Sequence, residues 1–505
     1  MLDGMGALST VARAEHRVGR LVDSRRTVAI AAAATFLVRL LGLTRPVRAD
    51  EAGFELVGRS WHPSADSVYG GYFVDRPPPL IALFKVSDAV GGPLFIRVLG
   101  ALACAALVLL AAWVARLVAD ERAGRWTAVA AATLVTTPAI DLVAVKGEAL
   151  ALPFLLAALG SALVAARDRA VLPALAAGAL AAVPLGLKQN LAGAAVFVAV
   201  LFVGSVMAGR LRRGELVRLA GAALAGFAVP LLATVGWALL AGVRLHTLWY
   251  AVYGFRTDAS AALGHSSTGA PARRALLLLL ILLITGIAVA ITAYAVGVRQ
   301  HWRHDAPLTA AVLTMAAFDL VALALGGSFW QDYAFGLVPG ALLALALVTA
   351  QLRERLVPLM VGSAVLSLLW WGFWNVSGRQ EYDEHDTGVA LAQVANPGDT
   401  LVVFGGRADL QLESGLASPY PYLWSLPMRA LDPDLTRLRA LVDGPDAPTW
   451  LVEWWPFDTW TSKGSALEQD VEERYVAHGT GCGGRTVWLL RGEDRPTPKP
   501  HCRGG

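Results

Sequence analysis

The sequence predicts a polytopic α-helical membrane protein of about eleven transmembrane helices, followed by a C-terminal extracytoplasmic α/β domain. Three observations carry this. Of 505 residues, 56% are hydrophobic and only 16% charged, against roughly 25% charged in ordinary soluble chains. The apolar residues fall into long runs. The composition turns polar after residue 375. Too few polar side chains exist to coat several soluble globules, so the apolar excess faces lipid. The same figures exclude a disordered chain, a disulfide scaffold and a coiled coil.

The runs lie near 27–44, 94–118, 127–145, 149–165, 171–187, 190–208, 217–241, 275–298, 307–325, 333–350 and 356–375. Each approaches the ~20 apolar residues that cross a bilayer core. The first follows Arg13, Arg17, Arg20, Arg25 and Arg26 with no small-residue cleavage site before Asp50, so it reads as a signal anchor with the N-terminus cytoplasmic. Alternation then puts Arg122, Arg125, Arg167, Arg169, Arg210, Arg212, Arg213, Arg218, Arg299, Arg303, Arg353 and Arg355 in inside loops. The short outside loops contain Lys146, Lys188 or no basic residue. A net charge of +4 does not imply nucleic acid, and no nucleic-acid partner is expected.

Residues 1–375 therefore read as a membrane domain, with 45–93 as its first external loop, and 376–505 as an outer soluble domain with strands at Thr400–Phe404, Trp450–Trp454 and Thr486–Leu490. Cys104 lies in an apolar run. Cys482 and Cys502 lie in the polar tail, where an oxidising compartment permits a disulfide, but spacing alone leaves that pairing undecided.

Chemistry concentrates on the outer face. Asp50 and Glu51 directly follow the first span. The loop then carries Tyr72, Asp75 and Arg76 ahead of three prolines, which fix the backbone. Lys146 and Glu148 sit at one external turn, Lys188 at another, and Asp332 with Tyr333 open a late span. Ionisable groups at membrane depth are costly and line a site or pair with one another. Arg39, Arg97, Asp141 and Asp319 lie in or beside spans and read as structural pairs. The aromatic loop Trp249–Tyr253 with Arg256 suits an interfacial belt or a cover for a lipid. Trp450, Trp454, Trp455 and Trp460 of the tail suit core packing, or stacking on sugars.

The order of these motifs resembles the GT-C membrane glycosyltransferases, in particular the aminoarabinose-transferase and protein-mannosyltransferase branch. The resemblance covers nearly the whole chain through short motifs. It implies that Asp50 is the catalytic base and that Arg76-Pro77-Pro78 stands where the family has Lys-Pro-Pro or His-Pro-Pro facing the donor phosphate. Glu148 matches a second family acid, Lys188 a phosphate-binding lysine, and Tyr333 a family tyrosine; Asp332 departs from the usual His or Arg. The expected site is Asp50 and Glu51 as catalytic residues, with Tyr72, Asp75, Arg76, Lys146, Glu148, Lys188 and Tyr333 binding substrate.

The expected reaction is inverting transfer of a hexosyl or pentosyl unit from a polyprenyl-phosphate-sugar to a hydroxyl of a glycan, lipid or protein acceptor. No Walker loop, dinucleotide fingerprint or zinc spacing is present in the sequence, and no cofactor is expected with certainty. A divalent cation suits the adjacent carboxylates Asp50 and Glu51. The rival readings are a polytopic lipid or solute transporter or flippase, and a non-catalytic scaffold of the same fold. A transporter favours paired repeats with midplane polar residues, whereas this cluster is one-sided.

Overall fold

The computed structural model describes residues 24–264, 270–352, 357–376, 382–459 and 463–503. The expectations for Arg13, Arg17, Arg20, Arg353, Arg355 and Trp460 fall outside those residues. The chain runs through α1 (Ser24–Leu40), α2 (Ala49–Arg59), α3 (Pro78–Val90), α4 (Pro93–Val118), α5 (Glu121–Thr136), α6 (Gly147–Asp168), α7 (Val171–Leu187), α8 (Gly193–Met207) and α9 (Arg213–Leu240). It continues through α10 (Leu245–Trp249), a π-helical turn, α11 (Phe255–Gly264), α12 (Ala270–Ile284), α13 (Ile287–Val296), α14 (Val298–His304) and α15 (Ala306–Leu325). A 3₁₀ segment, Gln331–Leu337, then leads into α16 (Val338–Leu352) and α17 (Val357–Val376).

Each of the eleven apolar runs overlaps a helix or a helix pair, though the 127–145 run is helical only as far as Thr136. Among the described residues, 5 helices are long and apolar enough to cross a bilayer by themselves: α4, α6, α9, α15 and the continuous Gln331–Ala350 segment. The pair α12–α13, bent by 68°, makes up to 6. Helices α1, α5, α7 and α8 are shorter, at 17, 16, 17 and 15 residues. The chain is thus a multi-pass membrane protein.

Small residues let the helices approach closely, as packing in lipid requires. A Cβ at Gly178 of α7 would come within 1.8 Å of the Ala223 carbonyl oxygen of α9, and one at Gly226 within 2.0 Å of the Leu175 oxygen. Gly147 does the same between α6 and α7, where a Cβ would lie 2.2 Å from the Leu187 oxygen. That contact brings Lys146, which precedes α6, beside Lys188, which follows α7.

The polar tail forms a mixed four-stranded sheet of β1 (Leu401–Phe404), β2 (Trp450–Glu453), β3 (Tyr475–Gly481) and β4 (Arg485–Leu490), in the order β1-β2-β4-β3. β1 and β2 pair in parallel, Leu401 opposite Trp450, across a helical crossover; β4 runs antiparallel to β2 and β3. Three of these strands match the sequence reading within two residues. β3 does not, because Ala477–Gly481 is glycine-rich and bulged, so its pairing comes from β4 rather than from local propensity. α18 (Asp383–Val394), α19 (Ala408–Ser414), α20 (Ser425–Leu431), α21 (Thr436–Asp443) and α22 (Gly464–Arg474) complete the region, with an apolar cluster on each face of the sheet. Cys482 and Cys502 form a disulfide with Cα atoms 5.6 Å apart, and Cys104 is buried.

This region docks on the first external loop. The Phe73 N–H donates to the Pro421 carbonyl at 3.0 Å, and the Ser418 N–H donates to the Tyr72 hydroxyl at 3.0 Å. In the loop itself, Pro77 caps α3 and Pro78 opens it, where a missing N–H costs nothing. The Tyr69 hydroxyl donates to the Arg76 carbonyl, which turns Asp75 and Arg76 towards the bundle.

Candidate active site

One cavity of about 570 Å³ lies where the helix bundle meets the outer region. Of the expected site residues, Asp50, Asp75, Arg76, Lys146, Glu148, Lys188 and Tyr333 line it, together with Asp332 and Asp141. They come from five separate stretches: the starts of α2 and α3, the connection into α6 with its first turn, the end of α7, and the 3₁₀ segment before α16.

Asp50 is in the first turn of α2, where a carboxylate complements the helix dipole. The Lys146 ammonium lies 3.1 Å from Asp50 Oδ2 and 3.3 Å from Asp332 Oδ2, bridging the two. Burial alone would raise the Asp50 pKa; the charges of Lys146 and Arg76 outweigh it and hold the carboxyl below its ordinary value. Burial pulls Lys146 down, but Asp332 and Asp50 overcome this and hold it well above the ordinary lysine value. Arg76 lies 2.6 Å from Asp75 Oδ1, and Arg256 reaches Asp75 Oδ2 at 2.7 Å. Lys188 pairs with Glu148, both buried, and stands 4.1 Å from the centre of the Tyr333 ring.

Two expected residues do not reach the cavity. Glu51 is fully buried behind it. Its carboxylate takes a 2.8 Å ion pair from Arg97 and the Val145 N–H at 2.8 Å. Arg97 also donates to the carbonyls of Gly42, Arg45 and Pro46. Adjacent residues on a helix point about 100° apart, so α2 turns Asp50 to the cavity and Glu51 into the packing. Tyr72 is a docking contact for Ser418, not a wall of the cavity.

The expected structural roles of four other residues divide. Arg97 makes the buried pair, and Arg39 donates to the carbonyls of Val135 and Asp141. Asp141 lines the cavity while its Oδ1 accepts from the N–H groups of Val143 and Ala144. Asp319 packs beside Gly193 and lines a small recess that also contains Glu148 and Lys188.

The structure adds cavity residues that the sequence reading passed over. Arg274, near the start of α12, donates through Nε to the Ser328 carbonyl at 2.7 Å and stands 4.3 Å from the centre of the Trp330 ring. Among the described residues it has no carboxylate within ion-pair distance. The sequence reading places Arg273 and Arg274 at an outer span end, against the expected charge bias, and that was the signal available. Trp424, Arg407 and Asp409 enter from the tail, beside Trp455, one of the tryptophans the sequence offered for packing or sugar stacking; Trp424 donates its indole N–H to Asp50 Oδ1 at 3.1 Å.

Asp50 and Glu51 do not converge on a common cation site. Glu51 is turned away from Asp50, the Lys146 ammonium stands between Asp50 and Asp332, and no group of three His, Cys, Asp or Glu side chains suited to a metal occurs among the described residues.

No protein-family description and no curated protein matches the chain. Solved structures do, and the likeness is one of fold. An oligosaccharyltransferase from Archaeoglobus fulgidus, in complex with Zn and sulfate, gives a TM-score of 0.52 at 14% identity, over 92% of this chain and 73% of that one. The archaeal oligosaccharyltransferase AglB from Archaeoglobus fulgidus, in complex with an inhibitory peptide and a dolichol-phosphate, gives 0.53 at 13% identity, over 94% and 75%. ArnT from Cupriavidus metallidurans bound to undecaprenyl phosphate is matched at 0.46 and 14% identity, over 91% and 97%. At such identities the likeness concerns the fold, and the chemistry rests on the site.

Proposed function

We propose that the protein is an integral membrane glycosyltransferase that moves a sugar from a polyprenyl-phosphate-sugar to an acceptor hydroxyl at the extracytoplasmic face. The observation that carries this reading is the pairing, in one cavity, of a carboxylate held ionised with a guanidinium that has no carboxylate within ion-pair distance among the described residues, next to lipid-facing helix. Arg274 stands one turn before Leu277, which lines the same cavity and is 49% exposed on the apolar flank of α12. A prenyl chain lying along α12 would bring its phosphate to Arg274, whose planar fork matches phosphate oxygens.

In the reaction, the acceptor oxygen attacks the anomeric carbon and a new glycosidic bond forms. The bond from that carbon to the phosphate oxygen breaks, and its electron pair leaves with the phosphate. Asp50 takes the acceptor's proton. Arg274, Arg76 and Lys188 stabilise the growing negative charge on the phosphate. A single attack from the opposite side inverts the anomeric centre. Lys146 keeps Asp50 ionised, and Glu148 with Asp332 holds the lysines in place. No step passes through a metal.

In this reading residues 1–375 form the catalytic membrane domain with about eleven crossings, the shorter helices included. The N-terminus is cytoplasmic and the region from 376 extracytoplasmic, where the Cys482–Cys502 disulfide is at home. The test is Asp50→Asn in proteoliposomes holding a polyprenyl-phosphate-sugar and candidate acceptors, with products read by mass spectrometry. Transfer should fall by at least ~10²-fold with donor binding kept. Unchanged transfer rejects the assignment.

A further inference from the structure

We propose that Trp424 is a positioning residue for this site: its indole N–H, carried in from the C-terminal region, fixes the orientation of the Asp50 carboxylate, so that docking of the outer region completes the acid–base centre on the membrane helices. The inference rests on the function proposed above and adds a coupling that the function does not require.

The two oxygens of Asp50 are held from opposite sides. Lys146 stands on Oδ2, and Trp424 Nε1 donates to Oδ1 at 3.1 Å. One donor on each oxygen stops rotation about the Cβ–Cγ bond, and the remaining lone pairs are left for the cavity. An indole N–H is a donor only, so it holds the carboxylate without competing for the acceptor's proton.

The ring has a place prepared for it. A Cβ at Gly53, one turn after Asp50, would lie 2.1 Å from Trp424 Cζ2, and Phe54 lies 5.8 Å from the indole between ring centres. Gly406, at φ +70°, would place a Cβ 2.4 Å from the Ser425 nitrogen, so the turn after β1 is pressed onto the Trp424 backbone. The stretch that precedes Trp424 is tied to the first external loop at Ser418 and Pro421. Every tie between Trp424 and Asp50 therefore runs between the outer region and the loop that carries the base.

Plain packing against Gly53 and Phe54 is the competing account, and Trp424→Phe separates the two by keeping most of the ring and deleting the N–H. The charged groups around Asp50 are Lys146 before α6, Arg76 of the first loop and Asp332 of the 3₁₀ segment, and the substitution touches none of them. Transfer is measured against pH in proteoliposomes. In parallel, carbodiimide labelling of Asp50 against pH is quantified by mass spectrometry, a readout that needs no turnover.

For Trp424→Phe, kcat should fall about tenfold with the donor KM within about twofold, and the acid limb and the labelling midpoint should both move up by about half a pH unit or more, because a carboxylate that loses a donor is protonated more readily. If that variant does not fold, Gly53→Ala, which must displace the indole, is expected to give the same shifts. Asp50→Asn distinguishes the two levels of the argument. Transfer that survives Asp50→Asn rejects Asp50 as the base, and no transfer by the unaltered protein rejects the glycosyltransferase reading, while the labelling midpoint still decides the hydrogen bond. Transfer lost in Asp50→Asn, with the rate, limb and midpoint unmoved in Trp424→Phe, overturns the positioning role alone.

Discussion

Lys146→Met removes the one cation that touches both Asp50 and Asp332. At 3.1 Å and an effective dielectric of 20, the Lys146–Asp50 attraction is about 5 kcal/mol. Asp50 is partly open to solvent, with a side chain 28% exposed, and screening reduces the useful part to about 1–3 kcal/mol. At 1.36 kcal/mol per unit, that is a rise of roughly 1–2 units in the Asp50 pKa. Asp332, now facing Asp50 with no ammonium between, pushes the same way. The wild-type carboxyl is held low, so its base form survives acid and activity is lost only as pH falls through the lowered value. In the variant the loss comes at higher pH. The assay is kcat/KM for sugar transfer between pH 4 and 9, with Lys146→Arg as the charge-preserving control. An acid limb that stays in place in Lys146→Met would refute the electrostatic account of Asp50.

Arg274→Ala should raise the donor KM about tenfold while kcat changes less, the loss of one charge-assisted contact to phosphate, read by transfer kinetics over a range of donor concentrations. Arg97→Met strands the Glu51 carboxylate and should cost about 3–5 kcal/mol, measured as a lower melting temperature in detergent, with cavity residues untouched. Glu55, on α2 and hydrogen-bonded to Ser87 at 2.7 Å, has its pKa raised to about 7 by burial. Its folded state keeps the proton, so its contribution to stability is full below about 4.5 and is lost as pH rises through 7; Glu55→Gln should flatten that slope in pH-dependent thermal unfolding.

Much of the arrangement is readable in one dimension. The apolar runs locate the helices, because lipid forbids unsatisfied backbone and so forces helix wherever twenty apolar residues follow one another. The positions of Asp50, Arg76, Lys146, Glu148 and Lys188 beside span ends were enough to group them on one face. Glu51 shows where that reading stops. Adjacency in sequence suggested a shared role, and the helical turn of α2 separated the two acids, one into the cavity and one onto Arg97. Arg274 was visible as half of a basic pair beside a span, yet its distance from every carboxylate among the described residues is a fact of packing.

Sequence alone therefore determined that the chain spans a membrane repeatedly, carries a polar sheet-forming tail, and bears Asp50, Arg76, Lys146, Glu148 and Lys188 beside span ends, since these follow from local composition and the solvents on either side. The tertiary structure alone decided which charges neutralise each other, that β3 forms at all, and that an indole 374 residues away reaches Asp50. Such contacts depend on how glycine-lined helices and the outer region close against one another, and a linear pattern does not encode those distances.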